Sequence, residues 1–134
     1  MQNTVLKNKM VSNDTDAAKD KSMSKNNELD EVIKLCQTIN SHYIELIPRP
    51  KNLLFIDDFE LTQHDIVELI HSIKKRDYYS GPEIDKDPNK RHPVWIFIKK
   101  GSIYKIAIYL KLKIINNNKK IIIISLHREG DYSL

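Results

Sequence analysis

Tyr109, Lys111 and Lys113 alternate along one β-like stretch, and Ser125 and His127 alternate along the next. Side chains two residues apart share one face of a strand. Each stretch therefore presents a row, and one register between the two brings the Tyr109 phenol, the His127 imidazole and two ammonium groups into a single patch. That set suits cleavage of RNA without a metal. An imidazole titrates near working pH and can move a proton as acid or base. Cations such as Lys111, Lys113 and Arg128 can hold a phosphate and stabilise charge developing on it. A tyrosine can stack on a base or donate a hydrogen bond. The same alternation also describes any sheet with Lys outside and Ile inside, so the pattern alone leaves both readings open.

Other candidates are weaker. Lys99 ends the preceding apolar run, and Arg91-His92 could contact phosphate from a loop or simply be solvated. Tyr78, Tyr79 and Trp95 flank that loop and could line a groove, although Trp95 fits a core position. His64 and His71 lie seven apart on a helix with no third ligand near and carry no assigned role. Glu83, Asp85 and Asp87 alternate in a loop but lack the glycine and terminal glutamate of a calcium loop. No phosphate-binding glycine loop, dinucleotide fingerprint, nucleophile elbow or zinc pattern is present, and no metal or cofactor is expected.

The elements that must position these groups occupy the latter part of the chain. Residues 1–28 are rich in Asn, Lys, Ser and Asp and almost free of apolar clusters, which predicts a disordered tail. Residues 29–134 form one domain. Val32, Leu35, Cys36 and Ile39 mark a short amphipathic helix, and 42–47 a short strand closed by Pro48 and Pro50. A helix over 51–59 should turn Leu53, Leu54 and Phe55 inward. Thr62 and Asp65 form a near capping box for the next helix, whose stripe is Ile66, Leu69, Ile70 and Ile73. Residues 79–93 read as a turn-rich connection. Strands follow over 94–99, 106–115 and 120–127, the last two joined by an Asn turn at 116–118. Short links predict an antiparallel meander, and the element order an α+β fold with two to three helices packed on one sheet face.

Charge supports the site's location. Residues 91–134 carry nine basic and two acidic residues, while residues 31–90 carry eight and eleven. The excess positive charge thus sits on the strands and points to a phosphate-rich partner. A single cysteine, Cys36, excludes an internal disulfide and fits a buried spectator in a reducing cytoplasm. No apolar run approaches a bilayer span, so no membrane role is expected.

Taken in order, Asp77-Tyr-Tyr-Ser-Gly-Pro82 with Asp85, Val94-Trp-Ile-Phe-Ile-Lys99, Ile108-Tyr-Leu-Lys-Leu-Lys113 and Ser125-Leu-His127 resemble the MqsR family of bacterial type II toxins. Arg49-Pro-Lys-Asn-Leu53 and the helix opening at Leu61 also fit. The resemblance covers roughly residues 29–134. It implies a RelE-like fold and a metal-independent mRNA endoribonuclease, inhibited by a cognate antitoxin, in which a ribose 2′-hydroxyl attacks the adjacent phosphate. Tyr109 matches the family's active tyrosine. The family's other three functional positions fall at Ser80, Ile96 and His127, which replace a lysine, a glutamine and a lysine. The resemblance therefore implies either a rearranged site on Tyr109 and His127, or a non-catalytic protein that binds RNA or an antitoxin on the same fold.

Overall fold

The computed structural model describes residues 17–84, 92–101, 105–115 and 117–130, with side chains from residue 27 onward. The chain divides into two compact units between Glu31 and Val32. That boundary lies within helix α1 (Ala17–Thr38). Residues 17–28, expected in the disordered tail, are therefore helical. Once Val32, Cys36 and Ile39 are buried and the helix is nucleated, adding turns is inexpensive, and the Ala, Lys and Met residues upstream favour it. Residues 1–16 lie outside the described residues.

The second unit is an α+β domain. After α1 come β1 (Ile44–Leu46), α2 (Pro50–Asp58), α3 (Gln63–His71), β2 (Tyr78–Ile84), β3 (Pro93–Lys99), β4 (Ile108–Ile115) and β5 (Lys120–Arg128). The sheet order is β1-β5-β4-β3-β2. The chain enters at one edge, crosses through α2 and α3 to the other, and returns as an antiparallel meander. β1 runs parallel to β5, with Ile44 opposite Ile121 and Leu46 opposite Ile123. The sheet is thus mixed, where an antiparallel one was expected, because β1 and β5 are separated by α2, α3 and the three strands β2 to β4, with no short turn between them to force antiparallel pairing.

A second departure is β2. It occupies the first part of the segment expected to be a turn-rich connection. Gly81 makes this possible. Its φ is +124°, and a Cβ there would stand 2.8 Å from the Val94 carbonyl oxygen and 3.0 Å from Trp95 Cα. Only glycine lets the two backbones approach so closely. The expected loop residues 85–91, Arg91 among them, lie outside the described residues.

One sheet face forms the core. Ile108, Leu110, Leu112 and Ile114 of β4 and Ile121, Ile123 and Leu126 of β5 are all buried, as are Trp95 and Phe97 of β3. Cys36 of α1, Ile70 of α3 and Ile73 just beyond it are likewise fully enclosed, and burial pushes the Cys36 thiol up from 9.0 to about 12. The capping box is complete: Thr62 Oγ1 accepts from the Asp65 amide and Asp65 Oδ2 from the Thr62 amide. The Thr62 amide, and after it the Thr62 hydroxyl, hold the Asp65 carboxyl below its ordinary value.

α2 departs from expectation in its orientation. Leu53 and Leu54 are exposed, whereas Lys51, Asn52 and Phe55 are buried. An unbroken Leu-Leu-Phe-Ile run has no unique helical face, and the polar Asn52 decides the docking. Its side chain meets the edge of β5 beyond the end of β1. Asn52 Oδ1 accepts from the Leu126 amide, and Nδ2 donates to the Ile124 and Ile47 carbonyls. One amide side chain thus supplies the pairing a further strand residue would have given.

Candidate functional site

The β4–β5 register decides whether the candidate residues meet. Tyr109 lies opposite His127, Leu110 opposite Leu126, and Lys111 opposite Ser125. The next pair is Leu112 with Ile123, so Ile124 is an extra residue, a β-bulge. Its effect is a change of parity. Ile121 and Ile123 face the core with Leu112 and Ile114. Beyond the bulge it is Leu126 that faces the core, and Ser125 and His127 turn to the other face with Tyr109 and Lys111. Were Ile124 paired in regular alternation instead of bulged out, Ser125 and His127 would face inward.

The bulge is held from the sheet edge. The Ile124 carbonyl accepts from Asn52 Nδ2 at 2.9 Å and from Arg49 Nη1 at 3.2 Å. Arg49 Nη1 also lies 3.1 Å from Ser125 Oγ. Pro50 occupies the first turn of α2, where its fixed φ helps start the helix that presents both neighbours. Neither Arg49 nor Asn52 stood out for a role in the sequence. A polar residue within an apolar helical run was the only available signal for Asn52.

On that other face, Tyr109 and His127 stack with centroids 4.9 Å apart and planes 15° from parallel, and Val94, Ile96, Ile98 and Ser125 of the same face are buried as well. Tyr109 is half-buried, while His127 is only 3% exposed. His127 Nδ1 lies 2.9 Å from the Arg128 carbonyl oxygen. A carbonyl only accepts, so Nδ1 carries the proton in that contact and Nε2 is the basic nitrogen of the neutral ring.

Around this pair the face is ordered in rows. Ile98, Tyr109 and His127 form one, and Ser80, Ile96, Lys111 and Ser125 the next. Val94, Lys113 and Ile122 form a third. The four positions singled out by the family resemblance therefore share one face in two adjacent rows. Lys111 stands beside Ser80 and Ile96, where the two polar family residues are replaced. Neighbouring rows are about 7 Å apart, so Lys111 is close to the stacked pair and Lys113 about 13 Å along the strand.

The remaining candidates are not brought to this patch. Lys99 and Arg128 both pair with Ile108 and so lie on the other side of their strands. Lys99 Nζ is bound to buried Asp77 Oδ2 at 3.2 Å, and the Arg128 guanidinium lies 6.0 Å from the Phe59 ring centroid. Strand parity is the reason in both cases. His92 is exposed just before β3, six residues and about 20 Å along the strand from the position opposite Tyr109.

Among the described residues, no three His, Cys, Asp or Glu side chains are grouped to hold a metal ion. Among them, too, no helix is long and apolar enough to cross a membrane. In comparison with known proteins, no family model matches this chain and no curated protein matches its sequence.

Proposed function

We propose that this protein is an endoribonuclease toxin of the MqsR type, with a RelE-like fold, acting in the cytoplasm on mRNA and blocked by a cognate antitoxin. The observation that carries the reading is the register-specific meeting of Tyr109 and His127 on the sheet face that also carries Lys111, in the adjoining row, and Lys113. The resemblance adds the reaction class.

The chemistry is transesterification. The 2′-oxygen forms a bond to phosphorus, the bond from phosphorus to the 5′-oxygen breaks, and the products are a 2′,3′-cyclic phosphate and a free 5′-hydroxyl. His127 Nε2 takes the 2′-hydroxyl proton, and the Tyr109 phenol donates to the leaving oxygen. Lys111 neutralises the charge that grows on the phosphate. It takes the electrostatic place of the lysine that Ser80 replaces. The reading requires no metal.

The test is purified protein with a single-stranded RNA in chelator, followed by end analysis. Cyclic phosphate ends that vanish in Tyr109→Phe and His127→Gln are expected. Intact RNA at every protein concentration would overturn the reading.

One observation favours a second reading. His127 is almost fully enclosed, and Ser80 and Ile96 bring neither a cation nor an amide to the adjoining row. A non-catalytic protein that binds RNA or an antitoxin would keep the basic face and use the stacked pair only as structure. RNA binding without cleavage, unchanged in His127→Gln, would establish it.

A further inference from the structure

A cavity of about 320 Å³ opens beside the stacked pair. Ile98, the cross-strand partner of Tyr109, forms part of its wall. The sheet's outward face continues one row further here: Lys100 follows β3 and Glu129 follows β5, with the Glu129 amide bonded to the Ala107 carbonyl. Both side chains line the cavity, as do Arg76 and Tyr79 from the opposite edge. Tyr79 is 63% exposed, an unusual state for a ring on an ordered strand.

The wall is built rigidly. Asp77 is buried at its base, where Oδ2 accepts from the Lys74 amide at 2.8 Å and from Lys99 Nζ at 3.2 Å. Its charge is matched by Lys99, so it does not cancel the two cations at the rim. Tyr78, the neighbour of Tyr79, is anchored by its hydroxyl on the Gly81 carbonyl at 2.7 Å. The strand that carries Tyr79 is therefore fixed, and its ring is presented ready-made.

We infer that this cavity is a nucleotide subsite, in which Tyr79 stacks on a base and Arg76 and Lys100 bind the phosphate next to it. This inference rests on the ribonuclease reading and extends it: it assigns the nucleotide neighbouring the one that reacts at Tyr109 and His127. The volume is at the small end of ligand pockets and suits one base. Aromatic faces and basic side chains in alternation are the means by which single strands are held without regard to sequence. With Asp77 matched by Lys99, the cavity's other carboxylate, Glu129, leaves the rim net positive and can accept hydrogen bonds from a base edge.

The experiment measures binding of a fluorescein-labelled, fully 2′-O-methylated RNA hexamer of mixed sequence, which cannot be cleaved, alongside cleavage of its unmodified counterpart. Tyr79→Ala should weaken binding at least about tenfold, and Tyr79→Phe should bind like wild type. Arg76→Ala and Lys100→Ala should each lower the slope of log affinity against log salt by about 0.7. If wild type cleaves but these variants bind and cleave unchanged, the subsite is overturned and the ribonuclease reading stands. If the Tyr79-dependent binding is found without cleavage, the subsite stands and the ribonuclease reading falls. Competition by polyglutamate with the same dependence on Tyr79 would reassign the cavity to an acidic protein partner and overturn the nucleotide assignment.

Discussion

Tyr109 covers His127. Their rings lie 15° from parallel at directly opposed positions of β4 and β5, and the histidine beneath is almost wholly screened from solvent. A substrate must therefore approach the imidazole past the phenol, which ties the two groups to one reacting centre. Tyr109→Phe keeps the stack and removes the hydroxyl. On the proposed mechanism its thermal unfolding should stay close to wild type while cleavage falls by about 10² or more, the usual contribution of a positioned proton donor. Equal activity in the phenylalanine variant would remove the phenol from the chemistry.

Lys111 stands on the same face, one row from the pair. Lys111→Ala should reduce both RNA affinity and cleavage, whereas Lys99→Ala should lower stability and, by uncovering the Asp77 charge, weaken RNA binding at the neighbouring cavity. Chemical denaturation run beside the cleavage assay separates the two effects.

Asn52 closes the edge of β5 with two hydrogen bonds and holds the Ile47 carbonyl with a third. Asn52→Ala leaves the buried Leu126 amide without its partner, while the Ile124 and Ile47 carbonyls keep Arg49 Nη1 and the Arg49 amide, a cost on the order of 1 to 3 kcal/mol. Asn52→Asp should be no better at neutral pH, because an oxygen would then face the Ile47 and Ile124 carbonyls. Urea denaturation midpoints would show both, and a neutral result for Asn52→Ala would mean that the edge is satisfied in another way.

Gly81 is the point where β2 touches β3. Gly81→Ala would press a methyl group against the Val94 carbonyl and demand φ +124° of an alanine. A loss of a few kcal/mol, about 2 to 3, is expected, read as a lower unfolding midpoint. The Tyr79 subsite should suffer with it, since its strand must shift.

The Cys36 thiol has a pKa raised by burial, from 9.0 to about 12. The folded state therefore holds this proton more tightly than the unfolded chain. Its contribution is fully present below about pH 9 and is lost as pH rises from there toward 12. Alkylation of the native protein at neutral pH should be slow and should speed up sharply in denaturant. Rapid modification of the folded protein would contradict the enclosure of Cys36.

Much of this organisation was legible in the residues. Strict alternation along β4 told which side chains faced inward, and Thr62 with Asp65 announced the start of α3. What escaped had physical causes. Four consecutive isoleucines in β5 are apolar on both sides, so no alternation betrayed the bulge at Ile124, and with it the facing of His127 was undetermined. The Gly-Pro pair disguised β2 as a loop, because the signal for a turn and the signal for a close backbone approach are the same residue. Lys99 and Arg128 looked like neighbours of the site until pairing assigned their parity. Asn52 showed only as a polar residue in an apolar run, since two of its three partners lie more than seventy residues away.

The bulge also has a genetic consequence. Loss of one codon from the run of four isoleucines would remove the extra residue and leave Ser125 and His127 on the Tyr109 face of a regular strand. Gain of one would need a second irregularity or would exchange the environments of Ser125, Leu126 and His127, with every functional side chain still present in the chain. Two sequences differing only in the length of that run should not be assumed to share an activity.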